Sequence, residues 1–101
     1  MNNDTITATD IAEWIRTRDP GSPLADPNRY QIHNPNRVTL IPPPHPETYG
    51  LPAITVETFT REDGTRAYRW RTPHAERTGS FTGYGSAHAF ATSIRDYLMG
   101  R

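Results

Sequence analysis

The chain has 101 residues, with eleven arginines, no lysine, eleven acidic residues and a formal net charge of zero. The absence of cysteine excludes disulfides, thiolate metal sites and a cysteine nucleophile. Hydrophobic residues make up 34%, below the roughly 45–50% usual in soluble domains, so we expect a small core. Apolar runs are too short to predict a membrane-spanning helix. We therefore expect a cytoplasmic protein, in the host cytoplasm if a phage encodes it.

The lack of lysine has two explanations. Lysine codons are rich in A and T, so a GC-rich genome, such as that of an actinobacterium or its phage, is the simpler one. Selection for bidentate arginine contacts is the alternative. The composition along the chain predicts one small domain: a helix over 6–18, a proline-rich extended arm over 19–52, and a core of sheet and helix over 53–99.

The first predicted element is a helix from about Ala8 to Arg18. Thr7 and Asp10 have the spacing of a capping box, in which each side chain bonds the backbone of the other residue. An apolar stripe then recurs at helical spacing, formed by Ile11, Trp14 and Ile15. This stripe is narrow, so the helix must pack against something to persist.

Residues 19–52 contain nine of the ten prolines. Pro42–Pro46 predicts polyproline II, which we interpret as a stiff spacer in preference to a ligand for an aromatic-lined groove. Two short pieces, Arg29–His33 and Arg37–Ile41, could pair around Asn34–Asn36. That hairpin is an alternative and is not part of the predicted sheet.

Two alternating segments, Ile54–Phe59 and Tyr68–Arg71, predict a β-hairpin. A three-residue loop with Gly64 in the left-handed conformation places Val56 opposite Trp70 and brings the aromatic and aliphatic side chains to one face. The same register sets two opposite charges, Glu57 and Arg69, across from each other.

A third strand is expected over Gly79–Tyr84, after a turn, with Phe81 facing inward. Ser86 is the predicted cap of the last helix, and its apolar stripe consists of Ala87, Phe90, Ala91, Ile94 and Leu98. The predicted fold is α+β, with an N-terminal helix, a proline-rich arm and a three-stranded antiparallel sheet packed by a C-terminal helix. We expect Trp70 and Phe90 in the core.

No constellation of catalytic residues is present. The four histidines are scattered, and without cysteine they predict no metal site. No serine has a base and an orienting group around it, so we expect no enzyme and no cofactor. Six residues are candidates for contacting a partner: Arg66, Arg69, Arg71, Phe59, Trp14 and Tyr49.

Residues 58–98 resemble the repeat unit of the YegP-like family. The resemblance rests on Tyr68–Arg71, on Gly83–Ser86 and on the alanine-rich helix with Ile94. It implies a strand–strand–strand–helix unit without a well-assigned activity. The chain departs from the family in having no lysine after Ser86 and a different turn at Pro73–Thr78.

The order helix, three strands, helix is also similar to the double-stranded RNA-binding domain. That family places lysines at the start of its last helix, where this chain has Ala87, His88 and Ala89. No RNA-binding residue carries over.

These observations favour a small non-enzymatic module that binds another protein, as an accessory or host-directed factor of a phage or actinobacterium. Self-association is a second form of protein partnership. The alternative function is nucleic-acid binding by the arginine-rich hairpin.

Overall fold

The sheet of this protein has five antiparallel strands. A computed structural model describes residues 6–44, 50–82 and 85–100. The strands follow one another across the sheet in chain order: β1 Tyr30–Asn34, β2 Arg37–Leu40, β3 Ile54–Thr60, β4 Arg66–Arg71 and β5 Glu76–Ser80. Two helices complete the fold, α1 Ala8–Arg18 and α2 Ser86–Leu98. Short 3-10 turns at Pro23–Ala25 and Pro27–Arg29 precede β1.

The prediction of a three-stranded sheet is wrong, because β1 and β2 arise within the predicted arm. They form the alternative hairpin around Asn34–Asn36, and β2 pairs with β3. The prolines near these strands do not interrupt them: Pro27 begins a 3-10 turn, Pro35 lies in the hairpin turn, and Pro42 follows β2. Val38 and Leu40 are two residues apart in β2, so both side chains point to the same face of the sheet, and both are buried.

Both helices pack on one face of the sheet. The capping box of Thr7 and Asp10 is present at the start of α1. Ile11 and Ile15 of α1, with Phe90 and Ile94 of α2, belong to a single buried cluster. The cluster also contains the inward side chains of β2 and β3: Val38, Leu40, Ile54 and Val56. The opposite face, called here the open face, bears the remaining strand side chains and has no helix among the described residues.

The predicted register of the central hairpin is confirmed. Val56 lies opposite Trp70 and Glu57 opposite Arg69. The Arg61 N–H donates to the Thr65 carbonyl at 2.8 Å, which closes the three-residue loop. Gly64 has a φ of 85°, the left-handed conformation that glycine adopts at no steric cost.

The last third of the chain corrects two predictions. The third strand of the predicted sheet, now β5, begins at Glu76 and ends at Ser80, so it starts earlier than expected. Phe81 follows it and is buried, as predicted. The cap of α2 is Gly85, with a φ of 81° and no side-chain hydrogen bond, so Ser86 is the first helical residue instead of the cap.

Candidate functional site

A cavity of about 560 Å³ opens between α2 and the outer part of the sheet. This volume falls within the roughly 300–1,000 Å³ typical of ligand sites. We call it the β5–α2 groove. Its floor and walls are lined by Ile54, Tyr68, Trp70, Thr72, Ala75, Arg77, Ser80, Ser86, Ala89, Phe90, Ser93, Ile94 and Tyr97.

Small side chains on α2 leave the groove open. Ala89 and Ser93 are four residues apart, so they lie on the same side of the helix, and both are exposed. Phe90 and Ile94 sit beside them and turn into the core. Trp70, expected in the core, is only half-buried because it lines this cavity on one side.

The Tyr68 ring forms part of the groove floor by crossing over Gly79. It stacks on Phe90 with a centroid distance of 3.9 Å and lies 5.2 Å from Phe81. A Cβ atom built on Gly79 would come within 2.5 Å of Tyr68 Cζ. Any side chain at this position of β5 would therefore displace the ring.

The edge of β5 is available for hydrogen bonding. Among the described residues, β5 has β4 as its single neighbouring strand. The Thr72 N–H donates to Ala75 O and the Phe81 N–H donates to Arg66 O, each at 2.8 Å. Hydrogen-bonded pairs alternate along an antiparallel ladder, so odd-numbered residues of β5 bond to β4. The backbone groups of the even-numbered residues, such as Thr78, face the open edge.

Polar and apolar side chains both line the groove. Ser86 Oγ is buried and has no hydrogen-bond partner among the described residues. Tyr97 donates its hydroxyl to the Pro52 carbonyl at 2.7 Å, and burial raises its pKa. Arg77 is exposed, is the one charged residue among the described lining residues, and forms no ion pair within them.

Three predicted contact residues, Phe59, Arg69 and Arg71, do come together on the open face. The Arg69 guanidinium carbon lies 5.6 Å from the centre of the Phe59 ring. Arg71 Nη2 is 3.0 Å from Glu57 Oε1, and Arg69 Nε is 3.7 Å from Glu76 Oε1. The expected ion pair of Glu57 with its direct neighbour Arg69 is therefore replaced by a diagonal one. Each pair has at least one exposed member, and such surface pairs contribute little to stability, about 0–1 kcal/mol each.

Arg66 is half-buried and forms hydrogen bonds within the fold, away from those three residues. Its Nε donates to the Ile6 carbonyl at 2.9 Å, Nη1 bonds Thr60 Oγ1 at 3.2 Å, and Nη2 bonds Asn36 Oδ1 and Thr58 Oγ1. These bonds connect the segment before α1 to β3, to β4 and to the turn between β1 and β2. The hydrogen bonds of Arg66 therefore stabilise the fold and leave little of its guanidinium for a partner.

The other two candidates are elsewhere. Trp14 of α1 contacts His88 of α2, edge to face, at a centroid distance of 4.8 Å, and Arg18 lies over the same ring. It therefore bridges the two helices. Tyr49 lies outside the described residues.

Sequence reasoning missed the groove. The alternation of β4 assigned Tyr68 and Trp70 to the covered face correctly, but it contains no information on how completely a helix covers them. Gly79 was the available signal, since a glycine inside a strand often marks the close approach of another group. The exposed small residues Ala89 and Ser93 were the second signal.

No family model, no curated protein and no solved structure matches this chain. The strand–strand–strand–helix order implied by the YegP-like resemblance is present in β3, β4, β5 and α2, but membership of that family stays a prediction. Within the described ranges, no helix has the length and apolarity to cross a membrane. The same residues contain no cluster of three histidine or acidic side chains that could hold a metal ion.

Proposed function

We propose that this protein is a small non-enzymatic module that binds an extended segment of another protein. The segment adds to the open edge of β5 as a further strand and buries a side chain in the β5–α2 groove. The main support for the proposal is that the outer edge of β5, which pairs with no other described strand, lies directly beside a cavity walled by a helix. In strand addition, main-chain hydrogen bonds supply affinity and pockets for alternate side chains supply specificity.

The cellular setting and origin that we propose rest on composition, since the chain has no lysine. We propose a cytoplasmic accessory or host-directed factor from a phage or an actinobacterium. We propose that the groove then receives a segment of a host or partner protein.

Selection from a library of displayed random nonapeptides tests the proposal, because α2 offers a matched pair of variants. Ser93 lines the groove, whereas its neighbour Thr92 does not. Each donates its hydroxyl to the carbonyl four residues earlier, at 3.1 and 3.0 Å. We expect Ser93→Leu to fill the groove and abolish binding of selected peptides, and Thr92→Leu to preserve it. Equal binding by both variants would contradict a role for the groove.

Strand addition itself is tested at Thr78. Its N–H faces the open edge, so Thr78→Pro removes a donor that β4 does not use. We expect this variant to keep its melting temperature and lose peptide binding, while Thr78→Ala keeps both. Retained binding by a folded Thr78→Pro variant would show that the peptide does not extend the sheet.

Single-stranded nucleic acid on the open face is the second candidate, favoured by the proximity of Phe59, Arg69 and Arg71. Both arginines already face carboxylates, which offsets their attraction for phosphate. We expect a dissociation constant weaker than about 10⁻⁵ M for an oligothymidine at physiological salt. Submicromolar binding that weakens with salt, and that is lost in an Arg69→Ala, Arg71→Ala double variant, would make this the leading function.

A further inference from the structure

The β5–α2 groove has a definite chemical pattern along β5, which indicates what kind of segment fits it. Side chains of successive strand residues alternate between faces. Arg77 and Gly79 of β5 therefore point to the same face as Trp70 and Tyr68, which lie opposite them and line the groove. The Tyr68 ring lies over Gly79 and stacks on Phe90, so an aromatic surface covers this position, whereas Arg77 presents an exposed guanidinium.

A strand added to β5 would meet these two positions with two of its own side chains. Residues of the added strand opposite Arg77 and Gly79 are two positions apart and point to the same face, the face of the groove. The residue opposite Gly79 meets the Tyr68 ring, which takes the place of a side chain at Gly79. The residue opposite Arg77 finds a cation that has no ion-pair partner among the described residues.

We infer that the groove selects segments in which an apolar side chain is followed, two residues later, by aspartate or glutamate. This inference rests on the proposed function and adds the chemistry of the partner. The order assumes an antiparallel added strand, since antiparallel pairs outnumber parallel ones roughly two- to threefold. In that direction the residue opposite Gly79 precedes the residue opposite Arg77.

Charge complementarity supports the acidic residue. Arg77 is the one charged residue among the described lining residues, and none of them is acidic. A basic segment would meet only repulsion from Arg77, so the charge of the groove discriminates between segments of equal hydrophobicity.

Sequencing of the nonapeptides selected by the wild-type protein tests the inference. We expect enrichment of aspartate or glutamate two positions after a common apolar residue. Replacing that acid by its amide in a synthetic peptide should weaken binding by up to about fivefold, the upper end for an opposite-charge cross-strand pair. Selection with an Arg77→Glu variant should instead enrich lysine or arginine at that position.

The outcomes separate this inference from the proposed function. One outcome is that peptides bind the wild type and that Ser93→Leu abolishes this binding, but that the selected peptides show no acidic preference and Arg77→Glu selects the same sequences. In that case the inference is wrong and the proposed function stands. If no peptide binds the wild type, both are wrong. A reversed preference in Arg77→Glu, with a wild-type melting temperature, supports both.

Discussion

The two halves of this molecule differ in how completely their side chains are packed. One half, α1 with β1 to β3, contains nearly all of the largest fully buried side chains: Ile6, Ile11, Ile15, Leu24, Leu40, Ile54, Val38 and Val56, with Leu98 of α2 as the exception. The other half, α2 with β4 and β5, has half-buried aromatic rings around a cavity. Buried side chains are present in both halves, but the cavity, where we propose that a partner binds, lies in the second half alone among the described residues.

The largest expected effect lies in the packed half. Ile11 of α1 is fully buried, so Ile11→Ala should lower the free energy of unfolding by about 2–5 kcal/mol. Urea denaturation measures this change. Glu13→Ala, at an exposed position of the same helix, is the control and should have almost no effect. A loss below about 1 kcal/mol for Ile11→Ala would show that the two halves do not differ as described.

Hydrogen bonds of Thr58 connect elements of the packed half. Thr58 Oγ1 accepts from the Ala8 N–H at 3.0 Å and donates to Asn36 Oδ1 at 2.9 Å, and the residue is 4% exposed. Thr58→Val keeps the shape and leaves the buried Ala8 N–H without its acceptor, which should cost about 1–3 kcal/mol. The control is Thr60→Val, two residues along the strand, which removes one exposed hydrogen bond to Arg66. Equal melting temperatures for the two variants would contradict this assignment.

The groove half should respond differently at Gly79. In Gly79→Ala the new Cβ collides with the Tyr68 ring, which Phe90 and Phe81 hold in place, so we expect a cost of about 1–3 kcal/mol. Peptide binding should also fall, because the groove floor moves. A Tyr68→Ala background removes the collision and should make the same substitution nearly neutral in stability. Additive costs in the double variant would refute the contact.

The smallest expected effect on stability is at the tip of the hairpin of β3 and β4, away from the buried cluster and from the groove. Gly64 has a positive φ, and a Cβ atom there would meet no other atom within 4 Å. Gly64→Ala should therefore cost only its backbone strain, about 1 kcal/mol. Gly64→Asn should cost less, since asparagine tolerates the left-handed conformation. Thermal denaturation of the two variants compares them, and a larger cost for asparagine would argue against strain as the cause.

Elements with local signals could be predicted from the sequence. The capping box of Thr7 and Asp10 and the stripe of α2 have helical spacing, and the loop ending at Gly64 determines the register of β3 and β4. The hairpin of β1 and β2 could not be predicted firmly, because the prolines around it suggest an arm, although Val38 and Leu40 alternate as a strand should. Its pairing with β3 is a long-range contact that composition does not reveal.

The groove could not be predicted in the same way. A void depends on which residues are small at positions far apart in the chain, here Gly79 in β5 and Ala89 and Ser93 in α2. Periodicity distinguishes a covered face from an open one, but it does not show that Trp70 is covered on one side only. In the sequence Arg77 is one more arginine near the hairpin, and only the position of β5 brings it beside the cavity.

Amide hydrogen exchange of β5, measured by NMR with and without a selected nonapeptide, decides whether a strand is added at this edge. Strand addition requires the Thr78 and Ser80 amides, which face the open edge, to donate to the peptide. We predict that exchange of these two amides slows strongly when the peptide binds, while amides of the open-face residues Phe59 and Arg69 are unchanged. Unchanged exchange at Thr78 and Ser80 in the saturated complex would contradict strand addition.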